Sequence, residues 1–192
     1  ELRCDSFPLN SFLPADSLGL LDLALQAGGS GFDPLRAQTR GNIRLQVDRA
    51  EFRGRDFGGV KLNANLEGGQ LSGRLSDRDE ALRLLLLISG TLTERKQEVR
   101  LTGNVFDFDL AELGISPQKI GGSFALEAGA SASDAGSYTA RIALDSIEVR
   151  TRHRTDRIRP TSLSLSSDTT ATRAKLASGD LSLAFVSPGP VD

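Results

Sequence analysis

The sequence predicts an all-β fold with very little helix. Apolar and polar residues alternate in many short stretches, as in Ile43–Val47, which is typical of strands with one buried face. Gly, Ser, Thr and Asp separate these stretches, and the chain contains 20 Gly. About ten antiparallel strands are expected. The alternation alone is compatible with two facing sheets or with one long, bent sheet.

The composition argues against several classes of protein. A formal net charge of -2 gives no broad basic surface, so we expect no nucleic-acid partner. The longest apolar run, Leu84–Ile88, is far shorter than the roughly 20 residues of a transmembrane helix. Cys4 is the single cysteine, so no internal disulfide can form, and we expect no metal and no cofactor. No Met or signal peptide opens the chain, which favours a piece of a longer protein.

Residues 1–19 form an opening segment with two prolines, for which we expect a loop and a helical turn at Leu9–Leu13. A first β repeat is assigned to residues 20–116. It begins with a strand at Leu20–Ala27, and three Gly and a Pro predict a loop over residues 28–34.

Two strands change the phase of their alternation. The pattern of Ile43–Val47 shifts by one position before Ala50. Because the side-chain period of a strand is two, such a shift needs an extra residue, and we predict a bulge at Asp48–Arg49. The same shift after Leu144 predicts a bulge at Asp145–Ser146. A bend that recurs in both halves suggests a sheet that curves.

Three further strands complete the first repeat. They are expected at Val60–Leu66, at Leu71–Leu75 after a hairpin turn EGGQ, and at residues 81–92 after a turn at Ser76–Glu80. The middle of the third strand, Leu84–Ile88, is apolar at every position. We therefore expect it to be covered on both sides.

The stretch Val99–Ser116 joins the two halves. Phe106 and Phe108 have the opposite parity to Val105, which predicts a bend near Val105–Phe106. The sequence DLAELG predicts one helical turn that Gly114 ends in a left-handed conformation. The alternative is a flexible linker over residues 109–119 between two independent domains.

The second half resembles the first at a spacing of about a hundred residues, much longer than the roughly 20 to 50 residues of most repeats. LALQAG corresponds to FALEAG, VKLNA to TSLSL, and LSGRLS to TRAKLA. We therefore predict a second β repeat over residues 117–192, continuous with the first.

The sequence offers little for catalysis, and we expect that the chain is not an enzyme. His153 is the only histidine; it lies among arginines, and we expect it in an exposed turn. Asp107 and Asp109 lack the Gly and Glu spacing of a calcium loop. The Gly-rich stretches are not followed by the Lys-Ser of a phosphate loop.

A cluster of five arginines has two interpretations. It consists of Arg150, Arg152, Arg154, Arg157 and Arg159, of which the first three share a face if the segment is a strand. The cluster could contact phosphates of anionic lipids or nucleic acid. We favour a solvated hairpin tip, because the matching stretch FRGRDFGG is also basic and Gly-rich.

The apolar residues of the strands would share one side of one sheet. They form an ordinary β core, or they line a trough that holds flexible acyl chains, which aliphatic side chains suit better than planar ligands. The candidate groove residues are Leu23, Leu25, Leu45, Val47, Leu62, Leu66, Leu75, Leu101, Val105, Phe124, Leu126, Ile142, Leu144, Leu163, Leu165, Leu176 and Phe185.

Several phrases together resemble a known family. The chain is similar to TamB-like members of the AsmA superfamily, in particular the Bacteroidetes type, in the stretches FPLNSFLPADSLGLLDLALQAGG, RGNIRLQVDRAEF and VRLTGNVFDFDLAELGIS with IGGSFALEAG. In that group a phrase of the type D-L-x-x-L-G-[IL]-S closes a run of strands, as residues 109–116 would here. The resemblance extends over most of the chain.

The resemblance implies a curved antiparallel sheet folded as a β-taco, a trough with an apolar concave face. It implies a periplasmic segment of an inner-membrane-anchored protein of a Gram-negative bacterium, whose groove carries phospholipid acyl chains toward the outer membrane. An outer-membrane assembly barrel would bind other parts of the full-length protein. The alternative function is an interaction scaffold that assists outer-membrane protein translocation and assembly.

Overall fold

A computed structural model describes residues 1–8, 18–31, 33–52, 55–133 and 136–189. Strands make up 75% of the chain, and the described residues contain no helix. The strands are β1 (Leu2–Pro8), β2 (Leu18–Ser30), β3 (Arg40–Phe52), β4 (Arg55–Phe57), β5 (Val60–Glu67), β6 (Gln70–Arg78), β7 (Leu82–Leu92), β8 (Lys96–Asp109), β9 (Gly121–Ser133), β10 (Tyr138–Arg150), β11 (Thr155–Ile158), β12 (Thr161–Ser167), β13 (Ala171–Ser178) and β14 (Leu181–Pro188).

All fourteen strands belong to one antiparallel sheet that is curved and does not close. Its order is β1-β2-β3-β5-β6-β7-β8-β9-β10-β12-β13-β14, so β1 and β14 are the two edges. The short strands β4 and β11 lie off this path and pair with the C-terminal ends of β3 and β10. Consecutive long strands are therefore neighbours throughout, which explains the regular up-and-down course of the chain.

The sheet is a single layer, which excludes the sandwich alternative. Among the described residues only Ala81, Leu86, Val105 and Ala171 are buried hydrophobic residues, and no large side chain is fully buried. The accessible surface is 12781 Å², against about 8,900 Å² for a compact globular protein of this mass. A second sheet packed on either face would bury many more of the Leu, Ile and Val side chains.

The three predicted changes of phase are confirmed as irregularities of pairing. Asp48 has no partner between the pairs Asp22–Arg49 and Leu23–Val47. In β8 the register shifts on both sides just after Val105. In β10 it shifts after Asp145, where Ser146 has a φ of 51°.

Two predicted turns are also confirmed. The EGGQ hairpin joins β5 to β6, with φ values of 58° and 75° at its two glycines. The helical turn after β8 ends at Gly114, whose φ is 69°. The Gly114 N–H donates to the carbonyl of Ala111, and the Ile115 N–H donates to that of Leu110. These two bonds form a Schellman motif, in which a glycine ends a helical turn.

Other predictions of local structure were wrong. Residues 2–8 are not a loop but strand β1, while the expected helical turn at Leu9–Leu13 lies outside the described residues. Strand β2 continues through residues 28–30, which we assigned to a loop. The chain has more strands than the roughly ten expected, because β1, β4 and β11 were not predicted.

The centre of β7 is not covered on both sides. Leu86 is 6% exposed, but its neighbour Leu87, on the opposite face, is 51% exposed. Its cross-strand partners are Arg74 and Thr102, so Leu87, like Leu85 in the same strand, has polar neighbours on both sides.

Strand β8 carries the sheet from one half to the other, because it pairs with β7 on one side and β9 on the other. The two halves are therefore hydrogen-bonded into one continuous sheet. The tandem repeat stays a prediction. In both halves a long strand with a bulge, β3 or β10, pairs beyond the bulge with a short strand, β4 or β11.

Candidate functional site

Strand register decides which side chains share a side of the sheet. Residues directly opposite each other in neighbouring strands point to the same side, and successive residues of a strand alternate. We define face A as the side that carries Leu45 and Leu62, and face B as the side that carries Arg44 and Asn63, which pair in the same strands.

Followed from strand to strand, the pairing puts all the candidate groove residues on face A. They are Leu23, Leu25, Leu45, Val47, Leu62, Leu66, Leu75, Leu101, Val105, Phe124, Leu126, Ile142, Leu144, Leu163, Leu165, Leu176 and Phe185. None of them lies beyond a bulge in its own strand, so regular alternation and pairing account for their common side.

Two neighbouring cross-strand rows on face A contain no polar residue, and we call the one that includes Ile43 and Leu101 the central row. It crosses eleven strands from β2 to β14, and it consists of Ala27, Ile43, Ala64, Gly73, Ile88, Leu101, Ala128, Ile142, Leu163, Leu176 and Leu183. With neighbouring strands about 4.8 Å apart, the row follows the sheet for about 50 Å. A parallel row runs from Leu25 to Leu144 but becomes polar at Thr161 and Ser178.

Face A is most enclosed around β7 and β8 and more open on both sides of them, where Ile43 of β3 is 45% exposed. Leu86 and Val105, on β7 and β8, are 6% and 7% exposed. Leu163 is 47% exposed and Phe185 is 71% exposed. No second layer covers this face in the described part of the chain, so the enclosure at β7 and β8 comes from neighbouring side chains and from the curvature of the sheet.

A cleft of about 550 Å³ lies on face A beside two glycines. Gly29 and Gly41 oppose each other in β2 and β3; Gly41 faces open space, whereas a Cβ on Gly29 would clash with the Arg40 carbonyl oxygen. The cleft is lined among others by Ala27, Ile43, Ala64, Leu66 and Leu71. A Cβ built on Gly41 would meet only the Gly28 carbonyl oxygen, at 4.0 Å. The sequence did not indicate this cleft, because it arises from the pairing of glycines in two strands.

One ionisable group lies on face A at the other end of the strands. Asp77 opposes Leu84 and is 7% exposed. Its Oδ1 accepts a hydrogen bond of 2.9 Å from the Asp79 N–H. Burial raises the pKa of the Asp77 carboxyl above its ordinary value. Sequence reasoning placed this residue in a turn and so missed its position on an apolar surface.

The same end of the sheet is tied together by polar contacts between loops. The Arg55 guanidinium of β4 donates to the carbonyl of Ala111 and lies 3.5 Å from the Glu112 carboxylate. The Gly58 N–H donates to Asp79 Oδ2 at 3.2 Å. These contacts join the β3–β4 hairpin to the turn after β8, across the ends of β5, β6 and β7.

Three of the five clustered arginines, Arg150, Arg152 and Arg154, lie at a hairpin tip, as the favoured interpretation predicted, whereas Arg157 lies in β11 and Arg159 follows that strand. The Thr151 N–H donates to the Arg154 carbonyl at the turn between β10 and β11, and His153 is exposed there. Arg150, Arg154 and Arg159 each lie beside a carboxylate, those of Asp107, Asp156 and Asp180. Arg150, Arg152 and Arg154 would share a face only on a strand, and this condition is not met, because β10 ends at Arg150.

Face B is mainly polar. One of its cross-strand rows runs through Gln26, Arg44, Asn63 and Arg74 before it reaches Leu87. Another contains Asn65, Ser72 and Ser89. The two faces therefore differ in chemistry along the same strands.

No group of three or more His, Cys, Asp or Glu residues in the described ranges could hold a metal ion. Within the same ranges no helix is suited to cross a membrane. None of the protein-family models, curated proteins or solved structures compared with this chain matches it.

Proposed function

We propose that face A binds the acyl chains of phospholipids and forms part of a hydrophobic path along which lipid moves. The observation that carries the proposal is the central row, an uninterrupted series of aliphatic and small residues across eleven strands. The row runs across the strands, so a chain that moves along it passes from one half of the sheet to the other.

The energetics of such a surface suit a flexible hydrocarbon. Each CH₂ group moved from water to an apolar surface gains about 0.8 kcal/mol, without directed polar contacts. The length of the row, about 50 Å, exceeds the roughly 15 Å of half a bilayer's hydrocarbon core. Several acyl chains could therefore lie along it in succession, and a chain could advance by small steps.

The exposure of face A supports a bound ligand. Ile43, Ile142 and Leu163 are each between 45% and 47% exposed on this face. Typical monomers expose apolar patches of about 300 to 600 Å², and a row of this length with its flanking leucines would exceed that range. Bound acyl chains would cover this surface.

The similarity of the sequence phrases to TamB-like proteins supplies the setting of the proposal. The chain would be a segment of a periplasm-spanning bridge in a Gram-negative bacterium, within a protein anchored in the inner membrane. The sheet would deliver lipid toward the outer membrane, and an outer-membrane assembly barrel would bind other parts of the full-length protein.

A matched pair of substitutions tests the proposal. Leu62→Arg puts a cation on face A between Leu45 and Leu75, while Ser72→Arg puts the same side chain on face B between Asn65 and Ser89. We expect Leu62→Arg to lower the phospholipid that copurifies with the protein, measured by mass spectrometry, and Ser72→Arg to leave it unchanged. Far-UV circular dichroism checks that both variants keep the sheet. Equal lipid content in the two variants would refute binding on face A.

Photo-crosslinking separates lipid transport from the interaction-scaffold alternative. A photoreactive residue at position 126 or 144, both on face A, should capture lipid in cells. Capture of an outer-membrane protein precursor in place of lipid would favour the scaffold, and would make lipid binding incidental.

A further inference from the structure

A small cleft on face B lies over strands β8, β9 and β10. Its volume is about 190 Å³, and its lining includes Arg100, Glu127, Gly129 and Arg141. Both arginines oppose Gly129, which lies in the strand between them. Two strand spacings of about 4.8 Å separate their Cα atoms by about 10 Å. A Cβ built on Gly129 would meet only the Val99 carbonyl oxygen, at 3.6 Å, so the glycine leaves the space between the arginines open.

The third charged group that faces this space is Glu127. It lies two residues from Gly129 in β9 and therefore on the same face, as a diagonal neighbour of both arginines. Long side chains can reach each other across such a diagonal. Within the described residues, however, the side chains of Arg100, Glu127 and Arg141 form no ion pair and no hydrogen bond. Two cations and one anion thus share the cleft without pairing with one another.

The remaining polar groups of the cleft are already paired. Glu98 also lines it, but its carboxylate lies 2.6 Å from the Lys96 ammonium group. The hydroxyl oxygens of Ser131 and Thr139 are 2.8 Å apart and share a hydrogen bond. The charges that a ligand would meet are therefore the two guanidinium groups and the Glu127 carboxylate.

We propose that this cleft binds a small zwitterion that carries a phosphate group and an ammonium group. Arg100 and Arg141 donate hydrogen bonds to the phosphate oxygens from opposite sides, and Glu127 accepts from the ammonium group. Phosphate fits two arginines better than a carboxylate does, because one bidentate arginine already uses both oxygens of a carboxylate. The volume is below the roughly 300 Å³ at which pockets for drug-sized ligands begin. A ligand of the size of phosphoethanolamine is therefore expected.

Titration with phosphoethanolamine tests both charges of the ligand. Binding is followed by the amide shifts of the whole chain in proton–nitrogen NMR spectra, at low ionic strength because salt screens exposed charges. We expect the shifts to concentrate in residues 98–102, 127–131 and 139–143. Inorganic phosphate and ethanolamine each carry only one of the two charges, and each should bind at least about tenfold more weakly. Equal affinity for inorganic phosphate would overturn the assignment to a zwitterion.

Substitutions on face B test the residues. Arg141→Gln removes a cation and Glu127→Gln removes the anion, and each should weaken phosphoethanolamine binding at least about tenfold. Arg141→Gln should also weaken the binding of inorganic phosphate, whereas Glu127→Gln should not. Arg74→Gln is the matched control, because Arg74 lies on the same face in β6, outside the cleft. All three side chains are exposed, so the variants should keep the sheet, which the dispersion of the NMR spectra checks.

The outcomes decide the proposal and the source of the ligand. Shifts confined to the cleft and weakened by both variants support it. No saturable binding, or binding that Arg141→Gln leaves unchanged, overturns it. If the cleft binds phosphoethanolamine, glycerophosphoethanolamine identifies the source: binding as tight as that of phosphoethanolamine indicates a lipid headgroup, and weaker binding indicates a free phosphate monoester. Loss of lipid from face A in Leu62→Arg would leave these results unchanged, because the cleft lies on the other side of the sheet.

Discussion

Truncation of two neighbouring leucines would measure how strongly face A is stabilised relative to face B. Leu86 and Leu87 are adjacent in β7, have the same chemistry, and lie on opposite faces. Leu86 is 6% exposed, and Leu87 is 51% exposed. The two changes Leu86→Ala and Leu87→Ala lose the same strand propensity, so the difference between them reports burial alone.

The expected difference follows from the exposures. Leu→Ala removes three carbons, which corresponds to about 2.4 kcal/mol when the side chain is fully buried. Scaled by the buried fraction, Leu86→Ala should lower the free energy of unfolding by about 2 kcal/mol, and Leu87→Ala by about 1 kcal/mol. A cavity left beside Leu75 would add to the first value. The difference of about 1 kcal/mol corresponds to roughly 2 to 4 °C in Tm.

Urea unfolding followed by far-UV circular dichroism measures both variants, because the chain has no Trp and its sheet provides the signal. The slopes of the free energy with urea should stay equal, so that midpoints can be compared directly. An equal or larger loss for Leu87→Ala would refute the reasoning. It would mean that face B, rather than face A, is covered in the folded protein.

Three further substitutions test other features of the sheet. Asp77→Asn keeps the acceptor for the Asp79 N–H and removes a carboxyl whose pKa is raised by burial. Because the folded state binds the carboxyl proton more tightly than the unfolded state, the stability of the unmodified protein falls as pH rises from about 4. The variant should therefore be the more stable protein at pH 7 in urea unfolding, and a larger advantage at pH 4 would contradict this. Gly41→Leu should fill the cleft on face A, where a Cβ has room, and should lower the copurified lipid without lowering Tm; unchanged lipid would exclude the cleft as a binding position. Leu113→Asp should shift a single unfolding transition of the whole chain, since β8 pairs with both β7 and β9. Two separable transitions, of which only one is shifted, would instead show that residues 109–119 are a linker.

The sequence predicted the faces of the strands well, because a period of two is visible within a few residues. The bulge at Asp48–Arg49 could be predicted for the same reason, since a change of parity has few other physical causes. Strands β4 and β11 have only three and four residues, too few to show an alternation. Strand β1 was missed because Pro8 and mixed polarity resemble a loop.

Features that arise from pairing could not be predicted. The cleft depends on Gly29 lying opposite Gly41, and the sequence does not specify which residues of two strands will face each other. The exposure of Leu87 had the same origin. Its strand is apolar on both sides, and only the polar neighbours Arg74 and Thr102 reveal that one of those sides is uncovered.

Four irregularities of pairing lie along one line across the sheet, and this alignment contributes to its curvature; a further one, between Leu18 and Leu21 in β2, lies off the line. Irregular pairing occurs after Cys4 in β1, at Asp48 in β3, after Val105 in β8 and after Asp145 in β10. These four strands run in the same direction, and each bulge follows the same cross-strand level, that of Leu23 and Val47 in β2 and β3. Because a bulge bends its strand and increases its twist, bulges at one level bend the sheet along a line that crosses the strands. That line is parallel to the central row. Bending along this line curves the sheet about an axis parallel to the row, which is the geometry that the proposed movement of an acyl chain from strand to strand would require.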